Sequence, residues 1–147
     1  MRLLLIIFII IINNSDLSAC ECIPVLTVEQ HFQKADVVFY AKVTSINDKK
    51  IPGYKSTMHF LMDSLYADKA GYHPTLTIKN VYKGKILKKN EVSLKSNWSL
   101  CDVLFKKNAE YVVFGYYDEN GQIRTSVCTP TFLVTNINEL TKIEKLK

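Results

Sequence analysis

Four cysteines, at positions 20, 22, 101 and 128, are the residues best placed to do chemistry. Thiols can hold zinc, act as nucleophiles or pair as disulfides. Structural zinc sites favour paired Cys-x-x-Cys spacing. Here a Cys-x-Cys is followed by two lone cysteines 27 positions apart, which argues for two disulfides. Four cysteines allow three pairings, and the spacing does not choose among them. Catalysis finds little else to use. His31, His59 and His73 lack His-x-x-x-His or His-Glu-x-x-His spacing and read as surface or packing residues. There is no Gly-x-Ser-x-Gly and no phosphate loop, and once the disulfides form no thiol remains to pair with a histidine. The expectation is a non-enzyme that needs no cofactor.

The N-terminus gives the cysteines their context. Met1 and Arg2 precede an unbroken apolar run, Leu3 to Ile12, and a polar stretch, Asn13 to Ser18, that ends at Ala19. Ten apolar residues fall short of the roughly 20 that span a bilayer. The pattern is that of a secretion signal over residues 1–19, which predicts an extracellular protein and an oxidising setting for the cysteines. Removal of the signal leaves 128 residues, Cys20 to Lys147, enough for one domain with its own core. The net charge of +5 survives, because Arg2 and Asp16 leave together. The lysines are scattered and no aromatic-rich recognition motif accompanies them, so a solvated basic surface is expected and nucleic acid is not.

Cleavage after Ala19 makes Cys20 the first residue. Its α-amine would have a pKa of about 8, leaving a sizeable neutral fraction able to bind a metal. The amine nitrogen and the carbonyl oxygen of one residue close a five-membered chelate on zinc. Disulfides at residues 20 and 22 would hold that chelate rigid.

The elements that must position these residues are legible in part. Thr27-Val28-Glu29-Gln30 is a capping-box pattern, predicting a short helix to about Ala35. A strand follows at Val37 to Ile46, with Val37, Phe39, Ala41 and Val43 on one face. Residues 47–74 read as a long excursion, with a turn at Ile51 to Tyr54 and a helical turn near His59 to Tyr66. Strand patterning returns at Thr75 to Tyr82, with Leu76, Ile78 and Tyr82 inward, and at Glu91 to Ser96, with Val92 and Leu94 inward. Asn120-Gly121 marks a hairpin between Tyr111–Tyr117 and Gln122–Val127. Ile137, Leu140, Ile143 and Leu146 recur at helical spacing behind Asn136 or Asn138 as cap. Short strands with turn punctuation and two flanking helices predict a mainly β protein built on a small closed sheet.

Cys20-Glu21-Cys22-Ile23-Pro24 carries a wider resemblance. The chain resembles the N-terminal, netrin-like domain of the tissue inhibitors of metalloproteinases, which opens with Cys-x-Cys-x-Pro. Phe32, Asp36 and the run to Ala41-Lys42-Val43 follow in the family's order. So do Ile78-Lys79-Asn80-Val81-Tyr82-Lys83-Gly84, Ser99-Leu100-Cys101, Tyr111-Val112-Val113 and Cys128. The resemblance spans nearly all of residues 20–147. It implies an OB-fold-like five-stranded barrel with flanking helices and the disulfides Cys20–Cys101 and Cys22–Cys128. It also implies an inhibitory ridge of Cys20, Glu21, Cys22, Ile23, Pro24, Ser99 and Leu100, with the Cys20 amine and carbonyl on the zinc of a metalloendopeptidase.

Three features depart from the family. Its third cysteine pair is missing, with Gln33 standing where one partner would be, and its second, cysteine-rich domain is not found. Glu21 stands where the animal inhibitors carry a small or hydroxyl residue that enters the protease's main specificity pocket. Two further readings stay open. Leu17-Ser18-Ala19-Cys20 also fits a bacterial lipobox, and lipidation would anchor Cys20 at a membrane on the cell envelope and leave an odd cysteine. Asn97-Trp98-Ser99 is an N-glycosylation sequon. The expected function is a secreted metalloprotease inhibitor. The alternative is a netrin-like binding or surface module with no protease target.

Overall fold

The structure is a computed structural model that describes residues 20–51, 54, 70–86, 90–97, 99 and 101–147. The expected signal segment 1–19 and most of the 47–74 excursion lie outside the described residues.

The chain enters through helix α1, Val28–Lys34. Its capping box forms as predicted: Thr27 Oγ1 accepts from Gln30 N at 3.2 Å, and Gln30 Oε1 accepts from Thr27 N at 2.9 Å. At the other end, Lys83 Nζ donates to the carbonyls of Phe32 and Gln33 at 2.8 and 2.6 Å, satisfying acceptors that the last turn leaves open. Strand β1, Val37–Ile46, follows directly. After it come a 3₁₀ turn at Asp48–Lys50 and the strands β2 Ala70–Gly71, β3 Pro74–Lys83 and β4 Glu91–Ser93. The chain continues through β5 Phe105–Lys106, β6 Glu110–Tyr117, β7 Ile123–Arg124, β8 Phe132–Leu133 and helix α2, Ile137–Glu144.

The main sheet is antiparallel and runs β4-β3-β1-β6-β7, with β8 also paired to β6. It curls into a half-barrel, and its two ends meet where Lys95 N donates to Ile123 O at 3.1 Å. This is the mainly β, OB-fold-like architecture that was expected. A separate two-stranded sheet of β2 and β5, not foreseen, adds Phe105 to the barrel core.

β1 lies mid-path and is covered on both faces. Val37, Phe39, Ala41 and Val43 point into the barrel with Leu76, Val92, Leu94, Phe105 and Val113. Val38 faces outward into a second cluster, where Phe32 of α1 and Leu140 and Ile143 of α2 pack on Val112 and Phe114. Tyr82 belongs to this outer cluster rather than to the barrel interior. The register explains the correction. Ala41 pairs with Ile78 but Tyr40 with Asn80, so a bulge at Lys79 inverts the alternation and sends Val81 inward and Tyr82 outward.

Two glycines have positional roles. Gly84 has φ +78°, and a Cβ there would lie 2.1 Å from the Asp36 carbonyl, so the turn after β3 requires glycine. In the 118–122 hairpin turn, Gly121 alone takes a positive φ, and the Asp118 carboxylate organises the rest by accepting from the Asn120 and Gln122 N–H groups. The α2 cap is Asn136, with Glu139 closing a capping box. Leu140 and Ile143 are buried and Leu146 packs beside them, whereas Ile137 in the first turn is exposed.

Candidate functional site

The segment before α1 is too short and too open to hold itself in place. Residues 20–26 form no regular element, and Ile23, Pro24 and Val25 are exposed, Val25 to 90 %. Two covalent bonds fix the segment instead. Cys20 is bonded to Cys101 and Cys22 to Cys128, with Cα–Cα separations of 5.4 and 5.3 Å. These are the pairings implied by the resemblance, and among the described residues no cysteine is free. They span 81 and 106 residues, so in the unfolded chain each closes a long loop, worth about 4–5 kcal/mol on a chain-entropy view. The Ile23–Pro24 peptide is cis.

The two anchoring loops are themselves joined and braced. Val127 N donates to Cys101 O at 2.8 Å, tying the partner of Cys20 to the neighbour of Cys128. Asp102 Oδ2 accepts from Ser96 Oγ at 2.6 Å, Ser99 N at 2.8 Å and Asn97 N at 3.1 Å. In return Ser99 Oγ accepts from Cys101 N at 3.2 Å. Below Cys128, the hydroxyls of Thr125, Thr129 and Thr131 bond to one another at 2.8 to 3.0 Å, and Thr131 Oγ1 accepts from Phe114 N of β6. The loops are thereby referenced to the central sheet.

Electrostatics add a second brace. Arg124 Nε donates to Asp118 Oδ2 at 2.8 Å, while its Nη1 donates to Asn97 Oδ1. The Gln122 N–H and the Arg124 guanidinium hold the Asp118 carboxyl below its ordinary pKa. Beside these groups lies a cleft of about 310 Å³, lined among others by Ser99, Cys101, Tyr116, Arg124 and Ser126. Burial pushes the Tyr116 hydroxyl's pKa up.

The structure therefore brings Cys20, Glu21, Cys22, Ile23, Pro24 and Ser99 to one edge of the barrel. Glu21 is exposed between the two bonded cysteines. Leu100 and Trp98 lie outside the described residues. Asn97 of the sequon is exposed and engaged by Arg124. No group of three or more metal-ligating side chains occurs among the described residues.

Sequence reasoning missed three contributors. Val25 extends the exposed apolar edge, and its signal was the run Ile23-Pro24-Val25 lying outside any element. Asp102 organises the 96–101 loop, and Ser99-x-x-Asp102 is the same reciprocal Ser/Thr-x-x-acid spacing that marks a capping box. Arg124 had no sequence signal, because only the hairpin fold brings it to Asn97.

Among curated proteins, none matches the chain. The family described as tissue inhibitor of metalloproteinase matches residues 18–147. It is a family of inhibitors rather than catalysts, whose partners are metalloproteinases in general. The Cys-x-Cys-x-Pro opening, the curled β sheet with its two helices, and both disulfides accord with that match, and the chain belongs to the tissue inhibitor of metalloproteinase family.

Proposed function

We propose that the protein is a secreted inhibitor that blocks the catalytic zinc of a metalloendopeptidase with the amine and carbonyl of Cys20, after removal of residues 1–19. The observation that carries this reading is the double tether. Residues 20 and 22 are each cross-linked to a braced loop, so the segment between them enters a cleft with little conformational freedom left to lose. Glu21, Ile23 and Pro24 then line the cleft beside Ser99, with Val25 continuing the apolar contact surface.

The same bond favours secretion over a lipid anchor. The Cys20 sulfur is engaged with Cys101 and cannot also carry a thioether-linked lipid. The chelate needs a free, basic amine at residue 20. An added N-terminal alanine turns that amine into an amide, whose nitrogen no longer offers a lone pair to the metal.

The test is a titration of a panel of zinc endopeptidases with the mature protein and with a form carrying one extra alanine before Cys20. The mature form should inhibit at least one of them stoichiometrically, and the extended form should lose at least 100-fold in affinity while melting at the same temperature. Equal inhibition by both forms overturns the chelate. So does an intact mass showing Cys20 acylated, or a panel that neither form inhibits, which would favour the binding-module alternative.

A further inference from the structure

We infer that the metalloprotease this ridge fits carries a cationic side chain, facing Glu21, in the pocket beside its catalytic zinc. The inference rests on the chelate reading above and adds the chemistry of the partner. Three observations carry it.

The first is how fully the other carboxylates near this edge are engaged. Asp102 accepts three hydrogen bonds, and Asp118 holds Arg124 and two backbone N–H groups. Glu21 makes no ion pair or hydrogen bond among the described residues and is exposed. In a chain of net charge +5, the Glu21 carboxylate meets no cation among the described residues.

The second is its fixed position. Cys20 and Cys22 hold the backbone on both sides, so Glu21 cannot withdraw by moving the chain. Its Cα lies about 3.8 Å from that of Cys20. If the Cys20 amine and carbonyl sit on the metal, the Glu21 side chain is the first to leave it, and the carboxylate must enter the adjoining cleft.

The third is its surroundings. Ile23 and Val25 of the same tethered segment are 75 % and 90 % exposed, so docking this segment buries apolar side chains within a few residues of Glu21. Docking such a surface strips water from the carboxylate. A desolvated carboxylate without a partner opposes binding, whereas one met by an ammonium or guanidinium with good geometry restores the interaction and rejects partners that lack it.

The experiment is a double-mutant cycle. One arm is the mature protein and its Glu21→Gln variant, which keeps the shape and removes the charge. The other is a zinc endopeptidase with an apolar pocket beside the metal and its variant bearing a lysine there. The Ala-extended protein is run alongside. Glu21→Gln should weaken inhibition of the lysine-bearing protease about 10-fold and strengthen inhibition of the apolar one about 10-fold, a coupling of about 100-fold. Equal inhibition by both protein forms on both proteases, with the Ala-extended form inactive, overturns this inference and leaves the chelate standing. If the Ala-extended form inhibits while Glu21→Gln abolishes inhibition of both proteases, the carboxylate itself binds the zinc, and both readings fall.

Discussion

Replacing Asp102 by alanine tests whether the ridge is built by its loop brace or by the disulfides alone. The carboxylate accepts from Ser96 Oγ and from the N–H groups of Asn97 and Ser99. Asn97 and Ser99 are exposed, so water can replace those two bonds, at about 0.5 kcal/mol each. Ser96 is buried, with 6 % of its surface accessible, so loss of its bond to the carboxylate costs more, about 1–3 kcal/mol. The sum is about 2–4 kcal/mol. For a domain of this size that is roughly 8–15 °C in melting temperature. The assay is thermal unfolding by circular dichroism with the disulfides intact, on Asp102→Ala, Ser96→Ala and the double variant. Because the two residues share one bond, their costs should fall short of additive by about 1 kcal/mol or more. An Asp102→Ala protein melting within about 2 °C of the parent, or strict additivity, refutes the reasoning.

Two further substitutions probe the frame. Gly84→Ala forces a Cβ against the Asp36 carbonyl at a positive φ, and should cost at least about 2 kcal/mol in denaturant unfolding; a loss below 0.5 kcal/mol, as in an open turn, would contradict the geometry. Lys79, and then Tyr40, hydrogen-bond the Glu110 carboxyl and hold it below its ordinary pKa. That stabilisation is complete above the unfolded value of about 4.3 and is lost as pH falls through the lower folded value. The partly exposed pair is worth up to about 1 kcal/mol, so Glu110→Gln should be that much less stable at pH 7 and match the parent in strong acid; a gap that does not change with pH would exclude this assignment.

Local chemistry was legible where it acts over a few residues. The Thr27–Gln30 box, the ten-residue β1 and the asparagine cap of α2 depend on side chains three positions apart or on simple alternation; the first two stand as read, and of the two asparagines offered as the cap it is Asn136. Tyr82 was misassigned because the bulge at Lys79 is fixed by pairing with β1, which the β3 sequence does not contain. Ile137 matches the helical period but sits in a first turn that projects beyond the outer cluster. The cysteine pairing was open in the spacing and came only with the family resemblance. Asp48 gave no sign at all: Asp48-Lys49-Lys50 reads as solvated charge, yet the carboxylate is 1 % exposed.

Asp48 has consequences for how this chain can change. Its carboxylate accepts from Tyr72 N at 2.9 Å and His73 N at 2.7 Å, and Asn47 N donates to His73 O at 2.9 Å. Gly71 lies so close that a Cβ there would sit 2.4 Å from Asp48 Oδ2. The points where the chain leaves and rejoins the sheet are thus stitched together by groups belonging to neither β1 nor β3. Once that stitch is made, both ends of the connection are fixed beside the sheet, and the closure cost of a chain joining them grows only with the logarithm of its length. A change in that length therefore costs little loop-closure entropy, while the stitch keeps β1 and β3 in register at the point of departure and return. In evolutionary terms the domain separates two problems: the edge fixed by its disulfides, and the length of the connection that the Asp48 stitch closes.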